Sequence, residues 1–217
     1  MGVPIKTLIC ASNDNKVLYD FFRTGAYDRN RDFILTTSPS MDILISSNLE
    51  RLIYRIAGED AACNASLMAA LAGDGKYEIT AEMKEKLDDF YGNYATQEEC
   101  AAQIRSLYED TDYVLDPHTA VAAAVYNKYK EETGDTTKTV IASTASPYKF
   151  SKAVLEAVEP NATLPETEFD MVDELHKVSG AEVPAPLANL KNKTARFSDV
   201  TEVSDMENYV LGALGID

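Results

Sequence analysis

Two short apolar runs, each ending in a cluster of small polar residues, constrain this chain more than any other feature. The first, Ile5-Lys6-Thr7-Leu8-Ile9-Cys10-Ala11, stops at Ser12-Asn13-Asp14-Asn15. Strand formers without polar alternation read as a buried strand feeding a turn. Val17, Leu18, Phe21 and Phe22 then recur at helical spacing until Gly25. The second run, Thr139 to Ala142, ends at Ser143-Thr144-Ala145-Ser146. Ser146 reads as an N-cap, and Pro147 opens a helix with Phe150, Ala153, Val154, Ala157 and Val158 on one side. Just upstream, Asp116-Pro117 is an N-cap with a first-turn proline, and Ala120, Val121, Ala124 and Val125 form a small-residue face. Alternating strands and helices predict an α/β fold, a mostly parallel sheet flanked by helices, with ligands at the carboxyl ends of the strands.

Between the two units, Thr36-Thr37-Ser38-Pro39-Ser40-Met41-Asp42 is dense in hydroxyls and broken by proline, so it is a loop. Ser47 and Glu50 have capping-box spacing ahead of Leu49, Leu52, Ile53 and Ile56, predicting a helix up to Gly58. Helical stretches are expected over 65–72, 80–90 and 96–108, separated by Gly73-Asp74-Gly75 and Gly92-Asn93. Ten acidic residues from Glu78 to Asp112 suggest that residues 60–112 form a helical insertion across the surface, remote from chemistry. The expected organisation is an α/β core over residues 1–158. Residues 159–217 come after it as a helical and extended segment, interrupted by Pro160, Pro165, Pro184 and Pro186 and closed by a helix near 204–213, packing on the same domain.

With 36 acidic against 20 basic residues the net charge is −16, which disfavours nucleic acid and anionic membranes as partners. Cys10, Cys63 and Cys100 are an odd set without a CxxC pair, as expected of free thiols in the cytoplasm. No apolar run approaches the roughly 20 residues of a membrane span, and Met1 to Lys6 does not read as a signal peptide.

Both strand ends are crowded with neutral hydrogen-bonding groups, and the simplest reading is that they cap the following helices. His118 falls in the first turn after Pro117, while His176 lies in an acidic stretch, so no histidine cluster for a metal or a triad is expected. Gly75-Lys76 fails as a Walker loop because Ala70 and Tyr77 occupy the positions of the first glycine and the hydroxyl, and no GxGxxG occurs. Cys100 sits among Ala101 and Ile104 on an amphipathic helix, a packing position. Lys149 falls on a surface turn, and none of the 13 lysines is placed to be desolvated as a catalytic amine must be.

Four segments in this order resemble threonine synthase, a pyridoxal 5'-phosphate (PLP) enzyme of fold type II. They are Leu8 to Leu18 with Phe21-Phe22-Arg23-Thr24-Gly25; Ser38-Pro39-Ser40-Met41-Asp42-Ile43 with Ser47 to Arg51; Asp116-Pro117-His118-Thr119-Ala120-Val121-Ala122; and Ser143 to Phe150. The match covers the C-terminal part of such an enzyme. Its Schiff-base lysine and its glycine-rich phosphate loop correspond to positions upstream of Met1, so the chain is expected to be an inactive fragment that needs the N-terminal part of the same enzyme. The resemblance implies conversion of O-phospho-L-homoserine and water into L-threonine and phosphate, with PLP as electron sink. It implies that the Thr144 hydroxyl faces the pyridine nitrogen, that Asp116 and His118 lie near the ring, and that Asn13, Asn15, Ser40, Met41 and Asp42 belong to family signatures. Asn13, Asn15, Ser40 and Asp42 are the candidate substrate contacts. Two other readings are a non-catalytic acidic α/β binding or regulatory module, and another fold type II lyase such as a serine or threonine dehydratase.

Overall fold

In the computed structural model, which describes residues 3–216, the first apolar run forms strand β1 (Leu8–Ser12) and the helical pattern after it forms α1 (Val17–Thr24). Helix α1 ends at Gly25, whose φ of +84° is the left-handed conformation a glycine C-cap adopts. The chain continues through β2 (Ala26–Asp28), the hydroxyl-rich loop with a 3-10 turn at Pro39–Met41, α2 (Leu49–Ile56), α3 (Ala61–Gly73), β3 (Lys76–Glu78), α4 (Ala81–Glu85) and β4 (Phe90–Tyr94). Helices α5 (Gln97–Thr111), α6 (Pro117–Thr133), α7 (Ser151–Val158) and α8 (Glu168–Ser179) come next. Strands β1 and β4 pair in parallel from Leu8↔Phe90 to Ser12↔Tyr94, and β2 and β3 form a short antiparallel pair. Helix α5 packs against α6 and α7, α7 against α8, and α6 also against β1 and β4, giving an α/β architecture built on a parallel pair.

The core between α1, α2 and the antiparallel pair is aromatic. Phe21, 0% exposed, lies between Phe22, Tyr27 and Tyr77, and the rings of Tyr27 and Tyr77 stack at 5.4 Å. The Tyr27 hydroxyl stays satisfied, donating to the Leu44 carbonyl at 3.0 Å and accepting from the Ser46 N–H at 2.7 Å. The small-residue face of α6 is buried as its pattern predicts, with Ala120, Val121 and Val125 fully enclosed. Pro117 at the first helical position and Asp116 as N-cap start that helix, and Gly134 ends it at φ +66°.

The structure corrects several local expectations. Residues 60–112 are not a purely helical surface stretch: β4 runs through Gly92-Asn93, which reads in sequence as a separator, and supplies the partner of β1. The helix expected over 80–90 is only α4, because β4 begins at Phe90. Ser47 and Glu50 form no capping box; Asn48 is the N-cap of α2 and gives no side-chain cap. The run from Thr139 to Ala142 is unpaired and Val140 is 90% exposed, since no described strand lies beside it to complete a ladder. The helix after Ser146 begins as a 3-10 turn, Pro147–Phe150, before α7.

Contacts divide the chain into two compact units, Met1–Glu182 and Val183–Asp217. The second holds α9 (Ala185–Ala188), 3-10 turns at Leu190–Asn192 and Val203–Asp205, and α10 (Met206–Leu214) where a closing helix is expected.

Gly92 tests the β4 packing. A Cβ there would lie 2.7 Å from Phe22 Cβ, with the Phe22 ring against Phe90 behind it. Gly92→Ala is expected to cost about 1–3 kcal/mol through overpacking, measured by urea denaturation; an unchanged midpoint would show that α1 and β4 are not in this register.

Candidate functional site

The first turn of α6 carries a carboxylate with no solvent exposure. Asp116 Oδ1 accepts from the backbone N–H groups of His118 at 2.9 Å and Thr119 at 3.4 Å, and Oδ2 accepts the Thr119 hydroxyl. An unpaired buried charge is costly, but here the helix N-terminus and several aimed donors compensate it. His118 Nδ1 lies 3.1 Å from Asp116 Oδ1, and its ring tilts against Phe150 at 4.7 Å. Its Nε2 accepts from the Ser40 N–H at 3.2 Å, so the hydroxyl-rich loop is tied to α6.

The same loop is tied to the end of β1. Asp42 accepts from the Thr36 N–H at 2.9 Å, the Thr36 hydroxyl at 2.7 Å, Asn13 Nδ2 at 2.7 Å and Asn15 Nδ2 at 3.0 Å. Asn13 also donates to Ser38 Oγ at 3.0 Å and accepts from the Asn15 N–H at 3.0 Å. Asn15 exchanges hydrogen bonds with the Ile34 backbone at 2.7 and 3.0 Å. Asn13 and Asn15 are only 2% and 3% exposed, and their amides are engaged inside this network. A third tie comes from α5, where Gln97 Oε1 accepts from the Thr37 N–H at 3.2 Å.

Thr144 lies exposed in the stretch after the unpaired run. Its neighbour Ser143 anchors that stretch to α6, with Oγ 3.0 Å from Thr119 Oγ1. Helix α6 runs antiparallel to β1: near its far end Lys6 pairs with Asp135 at 2.7 Å, while its first turn meets the loop held by Asn13. The four signature segments thus converge at the carboxyl end of β1 and the N-terminus of α6. Asn13, Asn15 and Asp42 are in direct contact; Ser40, His118 and Asp116 form a second chain; Thr144 joins through Ser143 and Thr119.

Thr36, Ser38, Thr119 and Ser143 complete the arrangement without having been singled out in sequence; their signal was hydroxyl density beside the named positions. Ser12 adds another feature. Its Oγ is buried at the tip of β1 and has no hydrogen-bond partner among the described residues. Ser40 Oγ is exposed and equally unengaged there.

Two of the three thiols are poor nucleophiles. Burial pushes Cys10 from 9.0 to about 11 and, with help from nearby Asp14 and Glu99, Cys100 to about 12. Alkylation of the native chain at pH 8 is expected to modify half-buried Cys63 well ahead of buried Cys100, read by peptide mass; equal rates would contradict the burial of Cys100. Raised folded values favour the protonated thiols, so this stabilisation is present below the ordinary value of 9.0 and is lost as pH climbs toward 11–12.

Residues 119–210 match the family described as threonine synthase, C-terminal. Over 194 residues the chain is 34% identical to threonine synthase of Saccharomyces cerevisiae, covering 82% of this chain and 38% of that protein. The chain is similar to the C-terminal part of threonine synthases. It is 42% identical over 161 residues to human threonine synthase-like 1, covering 73% of this chain and 21% of that protein. The PLP-bound threonine synthase of Brucella melitensis superposes with a TM-score of 0.79 at 35% identity, covering 97% of this chain and 41% of that one. The chain therefore spans about two fifths of the threonine synthases it matches, and about a fifth of the threonine synthase-like protein. No described helix is long and apolar enough to cross a membrane.

Proposed function

We propose that this chain supplies one wall of the PLP site of a threonine synthase acting on O-phospho-L-homoserine, and that an N-terminal portion supplies the cofactor lysine and phosphate loop. The observation that carries this reading is the convergence of residues 12–15, 36–42, 116–119 and 143–144 on one end of the parallel strand pair, where α/β folds hold ligands. The unpartnered Ser12 hydroxyl, in a site whose Asp42 and Asp116 carboxylates are already engaged by protein donors, fits a polar organic group better than a metal ion. Bound there, PLP supplies an electron sink for carbanion chemistry on an amino acid.

The chain's own residues have separate tasks in this reading. Thr144 offers a neutral hydroxyl to the ring nitrogen, which withholds the full charge compensation a carboxylate would give. Asp116 fixes the first turn of α6, and His118 stands beside the ring. Asn13, Asn15 and Asp42 hold the hydroxyl-rich loop, and Ser40 presents its free hydroxyl to the substrate. The exposed run over 139–142, with Val140 almost fully open, is where the N-terminal portion would lie against this wall.

The test is an assay of the chain joined to an N-terminal portion bearing the lysine and glycine-rich segments. Supplied with PLP and O-phospho-L-homoserine, the joined protein is expected to release threonine and phosphate in equal amounts, and the 217-residue chain alone neither. A joined, folded protein that binds PLP but deaminates threonine and ignores the phosphate ester would contradict the substrate. One that binds no PLP would favour a non-catalytic module.

A further inference from the structure

We infer that His118 is a positioning residue locked in one neutral tautomer, with hydrogen on Nδ1 and the Nε2 lone pair receiving the Ser40 N–H, and that this lock sets the orientation of the Pro39–Met41 turn. Its two partners allow no other arrangement. A backbone N–H can only donate, so Nε2, 3.2 Å from the Ser40 nitrogen, must carry a lone pair. The Asp116 carboxylate can only accept, so Nδ1, 3.1 Å from Oδ1, must carry the hydrogen. Asp116 is itself immobilised by its bonds to His118 N–H and to Thr119, and Phe150 packs against the imidazole at 4.7 Å. The ring is thus fixed in tilt and height by groups that do not belong to the loop, and in tautomer by Asp116 together with the Ser40 N–H.

The loop needs this support at one place. Thr36, Ser38 and Asp42 are held by Asn13, and Thr37 by Gln97. Between them the 3-10 turn has two internal ties, from the Met41 N–H to the Ser38 carbonyl at 2.9 Å and from the Asp42 N–H to the Pro39 carbonyl at 3.1 Å; neither uses the Ser40 N–H, and Pro39 contributes no donor. The Ser40 N–H is the atom through which α6 reaches the turn, and the Ser40 side chain stands exposed beside it. The inference rests on the proposed function only for what the oriented Ser40 hydroxyl is for; the lock itself is read in the 217-residue chain without substrate, so the two can fail separately.

The experiment is nitrogen-15 NMR of the uniformly labelled chain. The expected spectrum shows His118 with a protonated Nδ1 and an unprotonated Nε2, and a scalar coupling across the hydrogen bond between Nε2 and the Ser40 amide nitrogen. Two variants separate the arms of the ring. His118→Gln places its carbonyl near the former Nε2 and keeps an acceptor for Ser40, so Ser40 amide exchange should stay within about threefold of the parent. His118→Asn reaches only the Nδ1 position and keeps the contact with Asp116, so Ser40 exchange should accelerate at least tenfold. A hydrogen on Nε2 in the parent chain, or equal Ser40 exchange in the two variants with both folded, overturns the inference. If either variant fails to fold, the tautomer and the coupling in the parent chain decide it.

Discussion

Replacing Asp116 with alanine is expected to destabilise the chain by about 2–3 kcal/mol, the combined scale of buried donors left without an acceptor and a lost N-cap. Alanine would leave the largely buried N–H groups of His118 and Thr119 without their acceptor, and the Thr119 hydroxyl with Ser143 Oγ alone. It would also remove the N-cap of α6, whose buried face is part of the core. Asp116→Asn is the informative partner. It keeps the size and one acceptor but turns an amide N–H₂ toward groups that are themselves donors, so its loss should fall between zero and that of alanine. Urea denaturation of the three proteins measures both. A loss below about 0.5 kcal/mol for alanine, the scale of an ordinary surface substitution, would mean the carboxylate is not enclosed as described.

The second large effect concerns activity. In the joined protein Thr144→Val is expected to lower kcat by tenfold to hundredfold, roughly the 1.5–3 kcal/mol of a hydrogen bond to a charged group expressed as a rate. Thr144→Ser should recover most of it. Because the Thr144 side chain is exposed in this chain, neither change should move the urea midpoint of the 217-residue protein, which separates a chemical role from a structural one. A full rate in the valine variant would remove Thr144 from the site.

The parts of this structure legible in sequence are those fixed by local chemistry. Val17 and Phe21 at helical spacing and Asp116 before Pro117 each specify a helix that forms where expected, and Ser146 caps the segment opened by Pro147, which starts as a 3-10 turn. What escaped depends on partners distant in the chain. Phe90–Tyr94 contains Gly92-Asn93 and reads as a break, yet pairing with β1 makes it a strand. The run from Thr139 to Ala142 has strand composition but no ladder, because composition supplies propensity and not a neighbour. The site divides the same way. Asn13, Asp42, Asp116 and His118 stood out through the segments that resemble threonine synthase, whereas Thr36 and Thr119 gain importance only through carboxylates they meet in the folded state.

If the wall built by these four segments faces a cofactor ring with Thr144 at its nitrogen, the most direct measurement is a crystal structure of the joined protein with PLP bound. Thr144 Oγ1 is expected at about 2.7–3.2 Å from the pyridine nitrogen, with Asp116 and His118 keeping their present contacts. A ring nitrogen met by a carboxylate or by water, with Thr144 turned away from it, would contradict this assignment.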